Sequence, residues 1–364
     1  MTRRKGILRH LAGTAVAAAA AVILFSVFRY RVEVADSVKK SFVSCAVHVL
    51  PTLFPFMVIS SIIVKMRLSR PIEKILARPF KKLFGLPPSS VTPYLLGLTC
   101  SFPVGVISAA EAFGDGLLTS DEAERTAALS NNTGPGYIVA IAGISLANNV
   151  NTGVLIYVSE IISSLVAGTV LFHGRFSAIK RPGLSLKEKS TNIGKTISES
   201  ISGAVSAAGT VVANVVFFSL LSRSISLSFR IDNEYFRLLS SVLFEFTEGV
   251  RESLSHGGAF GVALSALSVC AGGFSVLCQS AAVASTAGFS VGKMAIFKLF
   301  QGTVAAAICI AVSHFFPIFL PRPTAKMTLL DPVPGTGLIL KCAVASFCLI
   351  FSASKTLRRR RNTT

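Results

Sequence analysis

A chain of 364 residues that is 51% hydrophobic and only 15% charged, with a mean hydropathy of +0.65, carries much less charge than a soluble domain, where about 25% is usual. It reads as an integral membrane protein, and no long polar stretch remains to fold as a separate soluble domain. The net charge of +19 raises nucleic acid as a partner, but Lys and Arg lie in short loops and tails beside apolar runs; that is the pattern of membrane topology, and nucleic-acid binding is set aside.

The chain opens "MTRRKGILRHLAGTAVAAAAAVILFSVFRYR", a basic start followed by an apolar run from Leu11 to Phe28, long enough to span at about 18 residues. The alanine run resembles a signal-peptide cleavage region, yet Val22–Phe28 beyond it stays apolar, so an uncleaved first span with a cytoplasmic N-terminus is expected. A second run, 42–64, holds Pro51 and Pro55, which should kink it. The stretch 65–88 has seven Lys or Arg against one Glu and reads as a cytoplasmic loop. A third run, 91–113, is broken at Ser101-Phe102-Pro103-Val104-Gly105. In "GDGLLTSDEAERTAAL", Ser120 followed by Glu122 and Glu124 resembles a helix start. A broken run at 131–148, "NNTGPGYIVAIAGISLA" and onward, precedes a clean span near 153–172. The loop 173–198 contains six Lys or Arg.

The second half repeats this order. A span near 201–222 leads past Asp232 and Glu234 to the segment 236–256, which contains "SVLFEFTEGVRES". A run over 258–283 is interrupted at Gly272-Gly273, and a span near 294–316 follows. A Pro-rich loop 317–335, a last span near 337–354 and the tail "KTLRRRRNTT" complete the chain.

If every apolar run crossed once, the basic loop 173–198 would fall outside, against the positive-inside tendency. If 91–113 and 236–256 instead dip in and return, each is two half-helices of about 10 residues, too short to span singly. The N-terminus, 65–90, 173–198 and the "RRRR" tail then all face the cytoplasm. The expected fold is an all-α polytopic membrane protein with about eight transmembrane helices and two re-entrant hairpins in two inverted repeats. Its parts are an N-terminal span and linker (1–41), a first repeat (42–172), a basic linker (173–198), a second repeat (199–316) and a C-terminal span and tail (317–364). "SFPVGV" at 101–106 can be laid on "EFTEGV" at 245–250, and "GPGY" at 134–137 on "AGGF" at 271–274. Paired broken segments in inverted halves point to a transporter site at the midplane.

The stretches "VLPTLFPFMVIS", "TCSFPVGVISA" and "LTSDEAERTAALSNNTGPGYIVAIAG", with "EFTEGV" and "GGFSVLCQS" later, resemble the sporulation integral membrane proteins that carry the nucleoside-recognition Gate domain. The resemblance covers about residues 40–320. It implies a role in spore formation, with dipicolinate moved from the mother cell toward the forespore, across a multi-pass membrane site. The Gate domain is in turn similar to the concentrative nucleoside transporters, which use two re-entrant hairpins.

The candidate binding residues follow from the interruptions. Broken helices free backbone groups that are tolerated only where they line a wet cavity, where helix N-termini face anions and unwound carbonyls face cations. Ser101, Pro103 and Gly105 form the first break. Asn131, Asn132, Thr133 and Gly134 form the second. Glu245, Thr247, Glu248 and Arg251 form the third; Gly272, Gly273, Ser275 and Gln279 form the fourth. Ser275 and Gln279, four apart, share a helical face. Glu245 at membrane depth is a functional candidate by default, whereas Glu248 and Glu252 also fit a solvated interface cluster. Arg251 suits a bidentate carboxylate or a structural ion pair. Glu160 is deep and isolated, fitting a proton carrier or a hydrogen-bond partner of a neighbouring helix. The seven cysteines lie in or beside apolar runs without a CxxC pair and read as small buried hydrophobes.

The expected function is secondary transport of a small anionic metabolite, coupled to H+ or Na+, with the bilayer as the surrounding partner. No phosphate-binding loop, HExxH or GxSxG motif is present in the sequence, so no enzyme activity, cofactor or metal is expected. A nucleoside-type transporter and a non-transporting scaffold of a sporulation complex are the alternatives.

Overall fold

The computed structural model describes residues 2–66, 68–172, 192–229 and 233–322, and among them every regular element is helical. Helix α1 (Thr2–Arg29) is separated from α2 (Arg31–Ser44) only at Tyr30. The stretch 29–41, expected as a linker, is therefore largely helical. Its charges alternate with Val32, Val34 and Val38 at helical spacing, and Lys40 pairs with Asp36 one turn back at 2.7 Å. A π turn, Cys45–Val49, joins α2 to α3 (Leu50–Lys65). Pro51 lacks an N–H, and its ring opposes the carbonyl of Val47. The wide turn opens the ladder there, the Leu50 N–H reaching back to Cys45. Pro55 lies inside α3, which continues through it.

The stretch 65–90 is likewise not a plain loop. It contains α4 (Arg70–Phe84), which buries Phe80 and Phe84 and turns its basic residues outward. Hydropathy misses such a helix because its apolar face is narrow. A 3-10 turn, Pro88–Ser90, leads into α5 (Val91–Cys100) and α6 (Val104–Gly114). Gly97 and Gly105, four residues on either side of Ser101, both press on the carbonyl of Ser130; a Cβ would lie 1.7 Å and 2.2 Å from its oxygen. The chain therefore folds back at the tip, as a hairpin.

Helix α7 (Ser120–Ser130) is capped one residue earlier than the sequence suggested. Thr119, not Ser120, forms a capping box with Glu122. After an unwound stretch the chain resumes as a π-helix, Gly136–Leu146, then α8 (Val150–Phe172). Residues 173–191 of the expected linker lie outside the described residues. Its last residues are already helical, since Asn192 caps α9 (Ile193–Ser228) by accepting the Lys195 N–H at 3.2 Å. Helices α1, α2 and α3 all pack on α9, and Ser26 of α1 donates to the Ser224 carbonyl at 3.2 Å.

Helices α10 (Glu234–Phe244) and α11 (Phe246–Ser255) form a second hairpin, slightly longer at its start than the expected 236–256. Gly249 meets Val242 across it, where a Cβ would stand 2.8 Å from the Val242 Cα. Helices α12 (Gly258–Ala271) and α13 (Gly273–Ala287) join at Gly272, and α14 (Gly292–Phe315) leads to a 3-10 turn, Pro317–Phe319. The broken run thus ends at 287 rather than 283. Gly272 and Gly273 have φ of 73° and 65°, two successive left-handed residues that a side chain would strain.

Among the described residues four stretches are long and apolar enough to cross a membrane: Val150–Phe172, Ile193–Ser228, Gly258–Ala287 and Gly292–Phe315. Shorter apolar stretches lie at Val16–Arg29, Leu53–Ile63, Val104–Gly114 and Gly136–Leu146. The expected last span, 337–354, lies outside the described residues. Among the described residues the core has three clusters. One lies around Phe84, Val91, Leu129 and Phe297; one around Phe102, Tyr137, Phe246 and Val269; one joins Cys45, Met57 and Leu96 to Val211 of α9. Cys45, Cys100, Cys270 and Cys309 are buried as expected, but Cys278 is exposed.

Candidate functional site

The two hairpin tips meet. The ring of Phe102 lies edge-on to that of Phe246 with centroids 4.9 Å apart, and Phe246 in turn meets Tyr137 at 5.0 Å. Tyr137 opens the π-helix just past the first helix break. Each break also packs on its own hairpin tip. A Cβ on Gly134 would lie 3.0 Å from the Ser101 nitrogen, and one on Gly273 would lie 3.0 Å from the Leu243 carbonyl oxygen. The Thr133 hydroxyl donates to the Val269 carbonyl at 3.4 Å, tying one break to the helix before the other. Ser101, Pro103, Gly105, Thr133, Gly134, Glu245, Gly272 and Gly273 therefore belong to one packed region.

Several residues that the overlay pairs touch or share the same kind of environment. Phe102 faces Phe246; Val106 and Val250 are both fully buried; Gly105 packs on Ser130 of α7 as Gly249 packs on Ser268 of α12. Ser101 is held at φ 72° although it is not glycine, a conformation costing on the order of 1 kcal/mol or more and concentrated at functional sites. Pro103 begins the turn into α6. Farther along α13, Gln279 donates to Ser275 at 3.3 Å, as their spacing predicts. Both are buried, and the Gln279 Oε1 has no partner among the described residues.

Glu245 is the hinge of the second hairpin. It is 0% exposed and caps α11, accepting the Glu248 N–H at 2.9 Å and the Thr247 hydroxyl. Its Oε1 has no hydrogen-bond partner among the described residues. Glu245 lines a cavity of about 410 Å³ between α2, α9, α10 and α11. The same walls carry Glu33, Asp36, Glu248 and Glu252, facing Lys40, Arg223, Arg237 and Arg251, with six serines between them. Glu248 and Arg251 are half-exposed and paired, with Arg251 Nε donating to Glu248 at 2.9 Å and Nη2 to Glu252 at 3.3 Å. They form an ion-pair cluster on the cavity wall. Arg237 joins it through Glu252 at 3.3 Å. Arg223 lines the cavity and forms no ion pair among the described residues.

Asn131 and Asn132 face elsewhere. Lys298 of α14 donates from Nζ to the Asn131 carbonyl at 2.5 Å, to Gln301 Oε1 at 2.7 Å and to Asn132 Oδ1 at 3.5 Å. Gln301 donates to Asn132 Oδ1 at 3.0 Å and to the Glu160 carbonyl at 3.3 Å. Glu160 is not isolated: its carboxylate accepts the Thr133 N–H at 2.7 Å. All six residues are essentially buried. Sequence reasoning missed Lys298, Gln301, Tyr137 and Arg223. A signal for the first two existed, since Met294, Lys298, Gln301, Ala305 and Cys309 form one stripe at helical spacing.

Long apolar helices, shorter ones and wholly helical described elements make this a multi-pass membrane protein. It is distantly similar to the sporulation integral membrane protein YlbJ of Bacillus subtilis (strain 168), 22% identical over 220 residues, which is 55% of this chain and 52% of the relative. The chain thus spans about half the length of the curated relative it matches. No protein-family model matches the chain, and no solved structure matches it.

Proposed function

We propose that the chain is a secondary transporter of a small anionic metabolite, dipicolinate moved across a forespore membrane during sporulation. One observation carries this reading: two hairpin tips and two helix breaks converge in buried contact, beside a charged cavity with an acid at its hinge. Paired breaks from two halves of one chain are how carriers assemble a site that both membrane faces reach in turn. On this reading α3 pairs with α9, hairpin with hairpin, broken helix with broken helix, and α8 with α14, while α4 has no counterpart in the second half. The positive-inside rule gives the halves opposite orientations, with both termini in the cytoplasm.

The cavity offers a small planar dianion four cations, Lys40, Arg223, Arg237 and Arg251, on walls that also carry five carboxylates. Arg223 is its uncommitted guanidinium, able to grip a carboxylate bidentately, while Arg251 and Arg237 are shared with Glu248 and Glu252 and can be won over by a second carboxylate. The unpaired Glu245 oxygen suits H+ or Na+ as the coupling ion. The sporulation setting is supported by the distant relative's name. The test is uptake of labelled dipicolinate by the full chain in reconstituted vesicles, under imposed H+ or Na+ gradients. Labelled uridine in the same vesicles separates the nucleoside reading, and transport of neither under any gradient would leave the scaffold reading.

A further inference from the structure

Lys298 is 2% exposed and has no carboxylate within ion-pair distance among the described residues. Its ammonium is held instead by three neutral oxygens: the Asn131 carbonyl at 2.5 Å, Gln301 Oε1 at 2.7 Å and Asn132 Oδ1 at 3.5 Å. Asn131 is the residue at which α7 stops. Its carbonyl sits at the negative end of that helix and has lost its intrahelical donor. The amides are themselves oriented, because Gln301 also donates to Asn132 and to the Glu160 carbonyl. Behind them Glu160 keeps one oxygen, Oε2, without a hydrogen-bond partner among the described residues.

Carbonyl and amide oxygens converging at an unwound helix, with a carboxylate close behind, are the ligands that hard monovalent cations take in broken-helix proteins. A lysine serving only as filling would bury a charge needlessly, since an apolar residue of its volume serves better. We propose that the Lys298 ammonium occupies a cation site at the first helix break, as a tethered substitute for a dissociable monovalent cation such as Na+ or ammonium. The break is then held together by a cation that cannot leave, and the negative ends of α7 and Glu160 are balanced permanently. The inference stands whether or not the chain transports a solute.

The experiment is thermal unfolding of the purified full chain in detergent at constant ionic strength, in choline, sodium, ammonium or methylammonium chloride. The wild-type midpoint is expected to be the same in all four. Lys298→Ala empties the cradle; its midpoint should fall by several degrees in choline and recover saturably in sodium, ammonium or methylammonium, which fit where choline does not. Lys298→Met keeps the volume without the charge and should be lowered equally in every salt. A Lys298→Ala midpoint indifferent to the cation overturns the proposal, as does a Lys298→Met midpoint equal to wild type. Should Lys298→Ala not fold in choline, recovery of folded protein by extraction in sodium or methylammonium supports it, and failure in every salt overturns it.

Discussion

Phe102 and Phe246 lie 144 positions apart in the chain and meet edge to face, ring centroids 4.9 Å apart with an interplanar angle of 80°. Each sits one residue past its own hairpin's turning point, so the contact locks tip to tip. Phe246 also carries Tyr137 on its other side. Phe246→Ala should remove both contacts and lower stability by about 3 kcal/mol. In a double-mutant cycle with Phe102→Ala the coupling should be about 1 kcal/mol, the edge-to-face part alone. Denaturant unfolding of the four proteins in detergent measures it; additive effects would show that the tips are held by other contacts.

Gly97 and Gly105 let both arms of the first hairpin rest on the Ser130 carbonyl. An added Cβ at either would stand 1.7 Å or 2.2 Å from its oxygen, and the obstacle is backbone, which cannot swing aside. Gly97→Ala and Gly105→Ala should each cost about 3 kcal/mol, the upper range of overpacking. Gly114 ends α6 with open space within 4 Å of where its Cβ would stand. Gly114→Ala should therefore be neutral or slightly stabilising through helix propensity. Thermal midpoints of the three variants check the contrast.

Much of the site's framework is legible because the breaks announce themselves. Pro103, the Asn-Asn-Thr-Gly-Pro-Gly run, Glu245 and Gly272-Gly273 are residues that apolar helices do not use without reason, and laying "SFPVGV" on "EFTEGV" brings Phe102 opposite Phe246. Helices α2 and α4 read as loops because hydropathy averages over charged and apolar faces alike. Arg223 reads as one more interface cation, since its cavity exists only when α2, α9, α10 and α11 come together. Lys298 is invisible for a different reason. Its meaning lies in a carbonyl 167 residues earlier, and near the end of a span it looks like an ordinary snorkelling lysine.

Asp121 and Lys293 fasten the start of α7 to the start of α14. The ammonium lies 2.8 Å from Asp121 and 2.8 Å from Glu124, and Arg125 reaches Asp121 at 2.8 Å. Partial burial favours the neutral acid, but the hydrogen bond from Lys293 and the charge of Arg125 outweigh it and hold the Asp121 carboxyl below its ordinary value. A depressed carboxyl stabilises the fold above its unfolded pKa of about 3.9, and that contribution is lost as pH falls through the lower folded value. Asp121 is 53% exposed, so screening limits the effect to about 0.5 kcal/mol. Asp121→Asn should lower the midpoint slightly at pH 7 and converge on wild type as pH falls below the unfolded carboxylate value toward the lower folded one, with the difference shrinking in high salt. A difference that grows on acidification would contradict this ion-pair account.

Both hairpins turn at a residue outside their helices, Ser101 in the first and Glu245 in the second, so a hairpin turn does not by itself demand a carboxylate. Glu245 is nevertheless fully buried at the hinge, with one oxygen fixed by Thr247 and Glu248 and the other unpartnered among the described residues. A buried charge is costly unless it is paired, so a purely capping role would be served better by serine or asparagine. Glu245→Gln keeps size and one capping oxygen but removes the charge. Insertion and expression should be normal, while dipicolinate uptake in vesicles falls at least tenfold, equivalent to about 1.4 kcal/mol in the rate-limiting step. If the chain carries dipicolinate as proposed, Arg223→Gln should act differently, raising the half-saturating dipicolinate concentration roughly tenfold or more with the maximal rate little changed, because on that reading it removes a substrate contact rather than the coupling group. Wild-type uptake by Glu245→Gln at normal protein level would show that the carboxylate only caps α11 and takes no part in coupling.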